Sequence, residues 1–311
     1  MICDRPASNW RRWVGAACML ALLLGWASPA VGQELEPRAY SPSPVGTNFA
    51  AVSYGYTDGD IVFDSSSVLS DVSAGINSAA LGYGRVFGLA GRQSSVTIGL
   101  PYAWGGITGN VGEDRRSITR SGLGDPRLRF SAILFGGPAL PRNAFAGRAR
   151  APILGVSVVV VPPLGQYDSS RLINLGTNRW AWRPEVGVSL PRGPWQYDFY
   201  AAVWLYGTND DFFGGQRRTQ ESLASYQAHV SYTFRPGLWL AADATYYTGG
   251  VTSIDGVRGR DLQNNSRLGL TLASALGRGH SIKLAVSDGA STRIGGEFLA
   301  ASIAWQYIWF D

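Results

Sequence analysis

Nine ionisable residues of this chain fall where an alternating sequence turns them to one side: Arg127, Arg129, Arg183, Glu185, Asp198, His229, Asp243, Arg267 and Lys283. Their neighbours on the opposite parity are apolar, among them Phe130, Val186, Phe199, Val230, Leu268 and Leu284. Guanidinium, carboxylate and imidazole groups gathered on one strand face can line an aqueous pore and select solutes by their field. They can equally pair across neighbouring strands and fill a closed interior, and the sequence leaves both readings open. Acid–base catalysis fits less well. His229 shares its face with Ser225, Gln227 and Ser231, whereas an enzyme acting on membrane lipids needs its Ser and His on the lipid side. No G-x-S-x-G elbow is present, and His280 falls by a short turn. No catalytic residue is assigned. Two distant histidines and no cysteine past Cys18 do not make a zinc set. Asp58–Asp60 and Asp210-Asp211 read as solvated or Arg-paired loop acids. No metal or other cofactor is implied.

The elements that must hold these residues have a period of two. Ala224, Tyr226, Ala228, Val230, Tyr232 and Phe234 alternate with Ser225, Gln227, His229, Ser231 and Thr233, the pattern of a strand with one apolar and one polar face. Alternation and turn residues predict about twelve strands, at roughly 47–57, 72–86, 93–104, 124–135, 152–162, 180–190, 195–206, 223–234, 237–247, 263–275, 280–287 and 298–310. Strands of about ten residues suit a tilted bilayer crossing. Short connections (87–92, 191–194, 235–236, 277–279) alternate with long ones (58–71, 105–123, 163–179, 207–222, 248–262); 136–151 breaks the rule. This asymmetry and the even count predict an all-β fold, a transmembrane antiparallel up-and-down barrel. A soluble sandwich would carry shorter strands and no such asymmetry.

Composition agrees. The 311 residues include 40 Gly and 12% aromatics but only 16% charged residues, which suits many strands and tight turns. Residues 1–32 read as a cleaved secretory leader: Arg5, Arg11 and Arg12, then the apolar run Trp13–Trp26, then small-residue cleavage sites. Twin-arginine export through Arg11-Arg12 and a lipid anchor at Cys18 are minor readings. Both cysteines lie in this leader, so the exported chain cannot form disulfides. Asp4 and the three arginines leave with it, taking the net charge from +5 to +3. No basic tract remains, so nucleic acid is not an expected partner. Residues 33–46 are expected as a periplasmic segment and 47–311 as the barrel.

Aromatic residues gather at strand ends: Trp195, Trp239, Tyr307 and Trp309 by the short turns, and Tyr102, Trp104, Trp180, Trp182, Tyr206 and Tyr246 by the long loops. These are expected to form the two interfacial girdles. The last strand, 305–310, resembles the aromatic-terminated signal read by the barrel assembly machinery, although Asp311 follows Phe310. Phe212, Phe213 and Tyr167 lie in long loops amid Arg171, Arg179, Arg217 and Arg218. They read either as an access site for a hydrophobic solute or, with the arginines, as a contact to lipopolysaccharide.

Several stretches resemble one family. They are Glu36-Pro37-Arg38-Ala39-Tyr40-Ser41, Gly122-Leu123-Gly124-Asp125-Pro126-Arg127, Pro163-Leu164-Gly165-Gln166-Tyr167-Asp168, Asn174-Leu175-Gly176-Thr177-Asn178-Arg179-Trp180, and Pro184-Glu185-Val186-Gly187. Asn209-Asp210-Asp211-Phe212-Phe213-Gly214-Gly215 and Tyr246-Tyr247-Thr248-Gly249-Gly250 complete the set. The chain is similar to the outer-membrane family named for the meta-cleavage pathway of phenol degradation, whose members are labelled transporters. The resemblance implies a barrel and uptake of aromatic or other small compounds, and it assigns no binding residue. The expected function is passive transfer of small, aromatic or hydrophobic solutes across the outer membrane, with outer-membrane lipids and lipopolysaccharide as surroundings. The alternatives are a structural or surface-binding barrel and a lipid-modifying enzyme.

Overall fold

The structure is a computed structural model that describes residues 35–62, 69–111 and 114–311. The expected leader, 1–32, lies outside the described residues. Twelve strand positions close into one antiparallel barrel. They are β1 (Thr47–Val62), β2 (Leu69–Leu89), β3 (Arg92–Val111), a split position made of β4 (Asp114–Leu123) and β5 (Arg127–Phe135), and β6 (Ile153–Val161). They continue with β7 (Ala181–Arg192), β8 (Trp195–Tyr206), β11 (Leu223–Arg235), β12 (Leu238–Gly249), β15 (Gln263–Gly277), β16 (His280–Ser291) and β17 (Gly295–Phe310). The short strands β9 (Asn209–Phe212), β10 (Gln216–Gln220), β13 (Thr252–Ile254) and β14 (Val257–Arg258) form a separate sheet in the long loops. Thr47 pairs with Phe310 and Val62 with Gly295, so the first and last strands seal the cylinder over their whole length. Among the described residues no helix is long and apolar enough to cross a membrane; the crossing is made by strands.

The burial pattern is inside-out, as a barrel in lipid requires. On β7 the inward Ala181, Arg183, Glu185, Gly187 and Ser189 are buried while the outward Trp182 and Val186 are exposed. Exposed outward residues include Phe130, Phe199, Leu268, Leu270 and Leu284. Inward polar residues are among the most buried of the described residues: Asp198 and Ser231 at 0% exposure, His229 and Gln306 at 1%. An ionisable group on the outer face at mid-depth costs roughly 2–4 kcal/mol, so parity fixes the register.

Several expectations need correction. The strands run longer than their apolar stretches, because ladder pairing continues past the bilayer into polar sequence. β1, β2 and β3 have 16, 21 and 20 residues. The expected loop 105–123 is mostly a hairpin, the outer end of β3 paired with β4. The expected strand 124–135 begins only at Arg127, because Gly124-Asp125-Pro126 breaks the position and Pro126 has no N–H to give a ladder. Trp239 and Tyr206 are not girdle residues. Trp239 points inward and is 1% exposed, and Tyr206 packs on the inner cluster of Trp204, Leu223 and Tyr247. Long segment 136–151 holds a one-turn helix, Arg142–Phe145, and folds back on the barrel end, where Ala139 N–H reaches the Gly91 carbonyl and Val45 N–H the Leu140 carbonyl.

The wall is uneven on its outer side. β3 pairs with β5 at Ser94–Gly99 and with β4 at Tyr102–Val111. β6 covers only β5 and stops at Val161, where Pro162 and Pro163 end the ladder. Among the described residues, the other edge of β4 has no strand partner; the stretch 162–180 covers that place instead.

Candidate functional site: a plugged lumen and a clamped break in the wall

The lumen is occupied by the chain's own segment Leu35–Ser43. It is part of the stretch expected as a periplasmic segment, and its side chains and backbone bond to inward residues of six strands. Glu36, 4% exposed, sets its carboxylate 2.5 Å from Arg129 Nη1 and 3.6 Å from Arg183 Nη2. Glu185 closes the set, 3.1 Å from Arg129 and 2.8 Å from Arg183. Arg38, at φ 63, donates its N–H to Asp198 (3.3 Å). Its guanidinium donates to Ser231 and Thr233 and stacks 4.6 Å over Trp239. Trp239 faces inward by the parity it shares with Ala241 and Asp243, and Arg38 covers it there. Tyr40 donates its hydroxyl towards Glu185 (2.9 Å) and lies edge-on to Tyr200 at 5.4 Å. Ala39 N–H donates to Tyr200 Oη and Ser43 N–H to Gln93.

Two strand glycines make room for this plug. A Cβ at Gly155 would lie 2.1 Å from the Tyr40 ring, and one at Gly187 would lie 2.3 Å from it. Glycine inside a strand weakens the strand, and here it marks the close approach of another chain segment.

The predicted inward charges therefore fall into groups. Arg129, Arg183 and Glu185 meet around Glu36. His229 Nδ1 lies 2.7 Å from Asp243, which also accepts from Thr271 (2.7 Å). His229 Nε2 faces Gln227 Oε1 at 3.2 Å, and Gln227 accepts the Glu36 N–H. Asp198 holds plug backbone and accepts from Gln196. Arg267 donates to the Phe298 carbonyl and Ser287, while Lys283 is buried within electrostatic reach of Glu36 and Asp243. Arg127 lies within electrostatic reach of Arg183 and Tyr247. A buried ion pair is a weak source of net stability, but removing one partner is costly. Such a network sets where the plug docks more than how firmly the barrel folds.

The break in the wall is held by a residue that spacing alone did not single out. Asp125, 7% exposed, accepts from Gly165 N–H (2.8 Å), Thr177 N–H (2.8 Å) and Thr177 Oγ1 (2.7 Å). Gln166 N–H reaches the Leu123 carbonyl, and Gly176 N–H the Gln166 carbonyl. A Cβ at Gly165 would be 2.6 Å from Asp125 N, and one at Gly176 would be 2.7 Å from Gly165. Three Gly-containing stretches distant in sequence thus pack against one carboxylate. Its signal was the recurrence of Leu-Gly with a polar residue (Leu123-Gly124-Asp125, Leu164-Gly165-Gln166, Leu175-Gly176-Thr177).

The loop candidates separate. Phe212 is 8% exposed, with the Arg218 guanidinium 5.2 Å over its ring, and Phe213 is exposed. Tyr167 is tied into the loop framework, donating to the Asp211 carbonyl and accepting from Asn209. Exposed ion pairs edge these loops, Arg217–Asp210 (3.0 Å) and Arg258–Glu221 (2.9 Å). Hydrogen bonds from Ser170 and the nearby Arg171 hold the Asp168 carboxyl below its usual range, and the Arg258 hydrogen bond does the same for Glu221. An apolar groove of about 600 Å³ lies on the outward face between Phe199, Tyr226, Ala228, Ala244, Tyr246 and Leu268. It faces lipid, outside the lumen.

The chain is similar in fold to the COG4313 outer membrane channel from Pseudomonas putida F1, at 22% identity and a TM-score of 0.75, covering 89% of this chain and 100% of that one. More distant are the β domain of the Bordetella autotransporter BrkA (13% identity, TM-score 0.49, covering 85% and 100%) and the KdgM porin (8%, 0.46, 83% and 98%). No curated protein matches the sequence. The barrel is that of an outer-membrane protein, set among membrane lipids. Residues 57–303 match the family described as "Putative MetA-pathway of phenol degradation", and the chain belongs to that family.

Proposed function

We propose that the protein is an outer-membrane channel for passive passage of small apolar or aromatic solutes. The observation that carries this reading is the kind of obstruction in the lumen. The plug is a short segment that continues into β1 and is held in the lumen by polar contacts to Arg129, Arg183, Asp198, Gln227, Tyr200 and Gln93. A route blocked that way opens when a few contacts exchange for water. The edge of β4 beside Asp125 supports a second way in, through the wall, which suits a solute already dissolved in lipid. The family's description and the P. putida neighbour, printed as an outer membrane channel, point the same way. A leader over 1–32, recognition of strand 305–310 by the assembly machinery, and lipopolysaccharide contact by the loop arginines belong to the same proposal.

A second reading has its own observation. The pairing of Glu36 and Glu185 with Arg129 and Arg183 is what a closed structural barrel would show. Uptake separates the two. Liposomes carrying the folded mature protein are expected to take up benzyl alcohol or phenol faster than protein-free liposomes, and faster still with residues 35–43 deleted. Equal rates in all three preparations would reject transport and leave the structural barrel.

A further inference from the structure

The two ends of the barrel differ in how their arginines are met. At the outer end exposed arginines sit with carboxylates: Arg116 with Asp114, Arg171 with Asp168, Arg217 with Asp210 and Arg258 with Glu221. The short-turn end faces the periplasm. It has five turns, and each carries arginine. Arg92 stands at the turn between β2 and β3, Arg142 and Arg150 between β5 and β6, Arg192 between β7 and β8, Arg235 between β11 and β12, and Arg278 between β15 and β16. All six are exposed, and among the described residues none of them forms an ion pair. The turn sequences 88–92, 136–151, 191–194, 235–237 and 276–279 contain no Asp or Glu. The carboxylate of Asp311, at the seam, is already held by Arg85 (2.5 Å) and the Asn48 amide (2.9 Å).

The depth of these cations is set by their neighbours. Arg192 is the ladder partner of Trp195, and Arg235 follows Phe234 directly. Arg278 comes just after Leu276, and Arg92 just after Leu89. Trp195, Phe234, Leu276 and Leu89 are all exposed on the lipid side. Arg142 stacks 4.3 Å over Phe310 of β17, and Arg150 donates to the Gly193 carbonyl (2.8 Å) beside Arg192. Outward aromatic residues mark the membrane–water boundary, so a guanidinium one turn beyond them lies among lipid headgroups.

The arrangement decides between partners. Turns two strands apart are spaced about 10 Å along the rim, so the cations are spread around the barrel rather than gathered on one side. An acidic protein would engage one patch. A ring at headgroup depth fits lipid on every side. The planar guanidinium matches a phosphate oxygen pair bidentately, and basic residues at a membrane surface are drawn to anionic lipid.

We propose that the periplasmic rim binds anionic phospholipids of the inner leaflet. Arg92, Arg192, Arg235 and Arg278 hold their phosphate groups, and Arg142 and Arg150 complete the ring. Nothing in this ring depends on what passes through the lumen.

The test is native mass spectrometry of the folded mature protein, released from micelles holding equal amounts of phosphatidylglycerol and phosphatidylcholine with the same acyl chains. Phosphatidylglycerol is expected to be retained over phosphatidylcholine by about threefold or more, less so at high salt. Combining Arg92→Gln, Arg192→Gln, Arg235→Gln and Arg278→Gln is expected to bring the ratio near one, with each single substitution lowering it in part. Arg217→Gln with Arg258→Gln, in the outer loops, is expected to leave the preference in place. The four rim positions are exposed turn residues, heat-modifiable migration checks that each variant folds, and the single variants carry the test if the combined one does not. Equal retention of the two lipids would overturn the proposal and leave the arginines to an acidic partner in the periplasm. A preference that survives the rim substitutions, or that disappears with the outer-loop pair, would overturn it as well.

Discussion

The Glu36 network and the outer loops use the same ion-pair chemistry in opposite surroundings. Arg129 and Glu36 pair with side chains 6% and 5% exposed, and Arg183 and Glu185 with 2% and 0%. Arg217–Asp210 and Arg258–Glu221 pair at 55–76% exposure. In water an ion pair contributes little, because both partners are solvated when it breaks. In the lumen each partner depends on the other, because none of the four has a full hydration shell to return to. The first kind makes a latch, with a defined closed position and an all-or-none response to losing one member. The second is surface tuning.

Removing one latch member tests this difference most strongly. Glu36→Ala removes the carboxylate that pairs with Arg129 and lies 3.6 Å from Arg183, and it is expected to weaken plug docking by about 3–5 kcal/mol. Single channels of that variant should show long open events that the unaltered protein lacks; unchanged traces would mean that the carboxylate does not hold the plug. Next is the clamp at the wall break. Asp125→Ala strands the N–H groups of Gly165 and Thr177, at about 1–3 kcal/mol for a buried group left unpaired. Proteolysis should then cut within 162–180 faster, with the barrel still heat-modifiable. Protection equal to that of the unaltered protein would remove Asp125 from this role.

Tyr40→Phe keeps the ring between Gly155 and Gly187 and deletes only the hydroxyl that meets Glu185 and Ser157. A loss of about 1 kcal/mol in plug docking is expected, read as a modest rise in open probability. An effect as large as that of Glu36→Ala would blur the distinction between ionic and neutral contacts. Smallest is Arg258→Ala in the loop sheet, where no change in barrel stability is expected in thermal unfolding at any salt concentration. Acid acts on the same pair with a defined sign. Glu221 is held below its ordinary carboxyl value by Arg258, so the link persists at neutral pH and is lost only as pH falls through that lowered value.

The barrel was legible because its rule is local. Parity placed Arg183, Glu185, Asp198, His229, Asp243 and Lys283 inward from alternation alone, and the ladders agree. The plug was not legible for the opposite reason. Glu36 and Arg129 are far apart in the chain, and nothing in Glu36-Pro37-Arg38-Ala39-Tyr40 alternates or repeats. Its partners left a faint trace in Gly155 and Gly187, strand glycines with no turn to explain them. Trp239 misled because a tryptophan by a short turn suits a girdle, although it shares the parity of the inward Asp243; the Arg38 guanidinium stacked on it gives it an inner partner. Asp125 stayed hidden because a carboxylate that accepts backbone N–H groups from a remote loop has no charged partner to betray it.

The central claim is that Leu35–Ser43 closes the lumen and can leave it. Its most direct test is single-channel recording in planar bilayers of the mature protein beside a form lacking residues 35–43. The account predicts little or no steady conductance from the intact protein and large, salt-proportional steps from the shortened one, both folded by heat-modifiable migration. Equal conductance in the two would contradict it, because the segment would then not be what closes the channel.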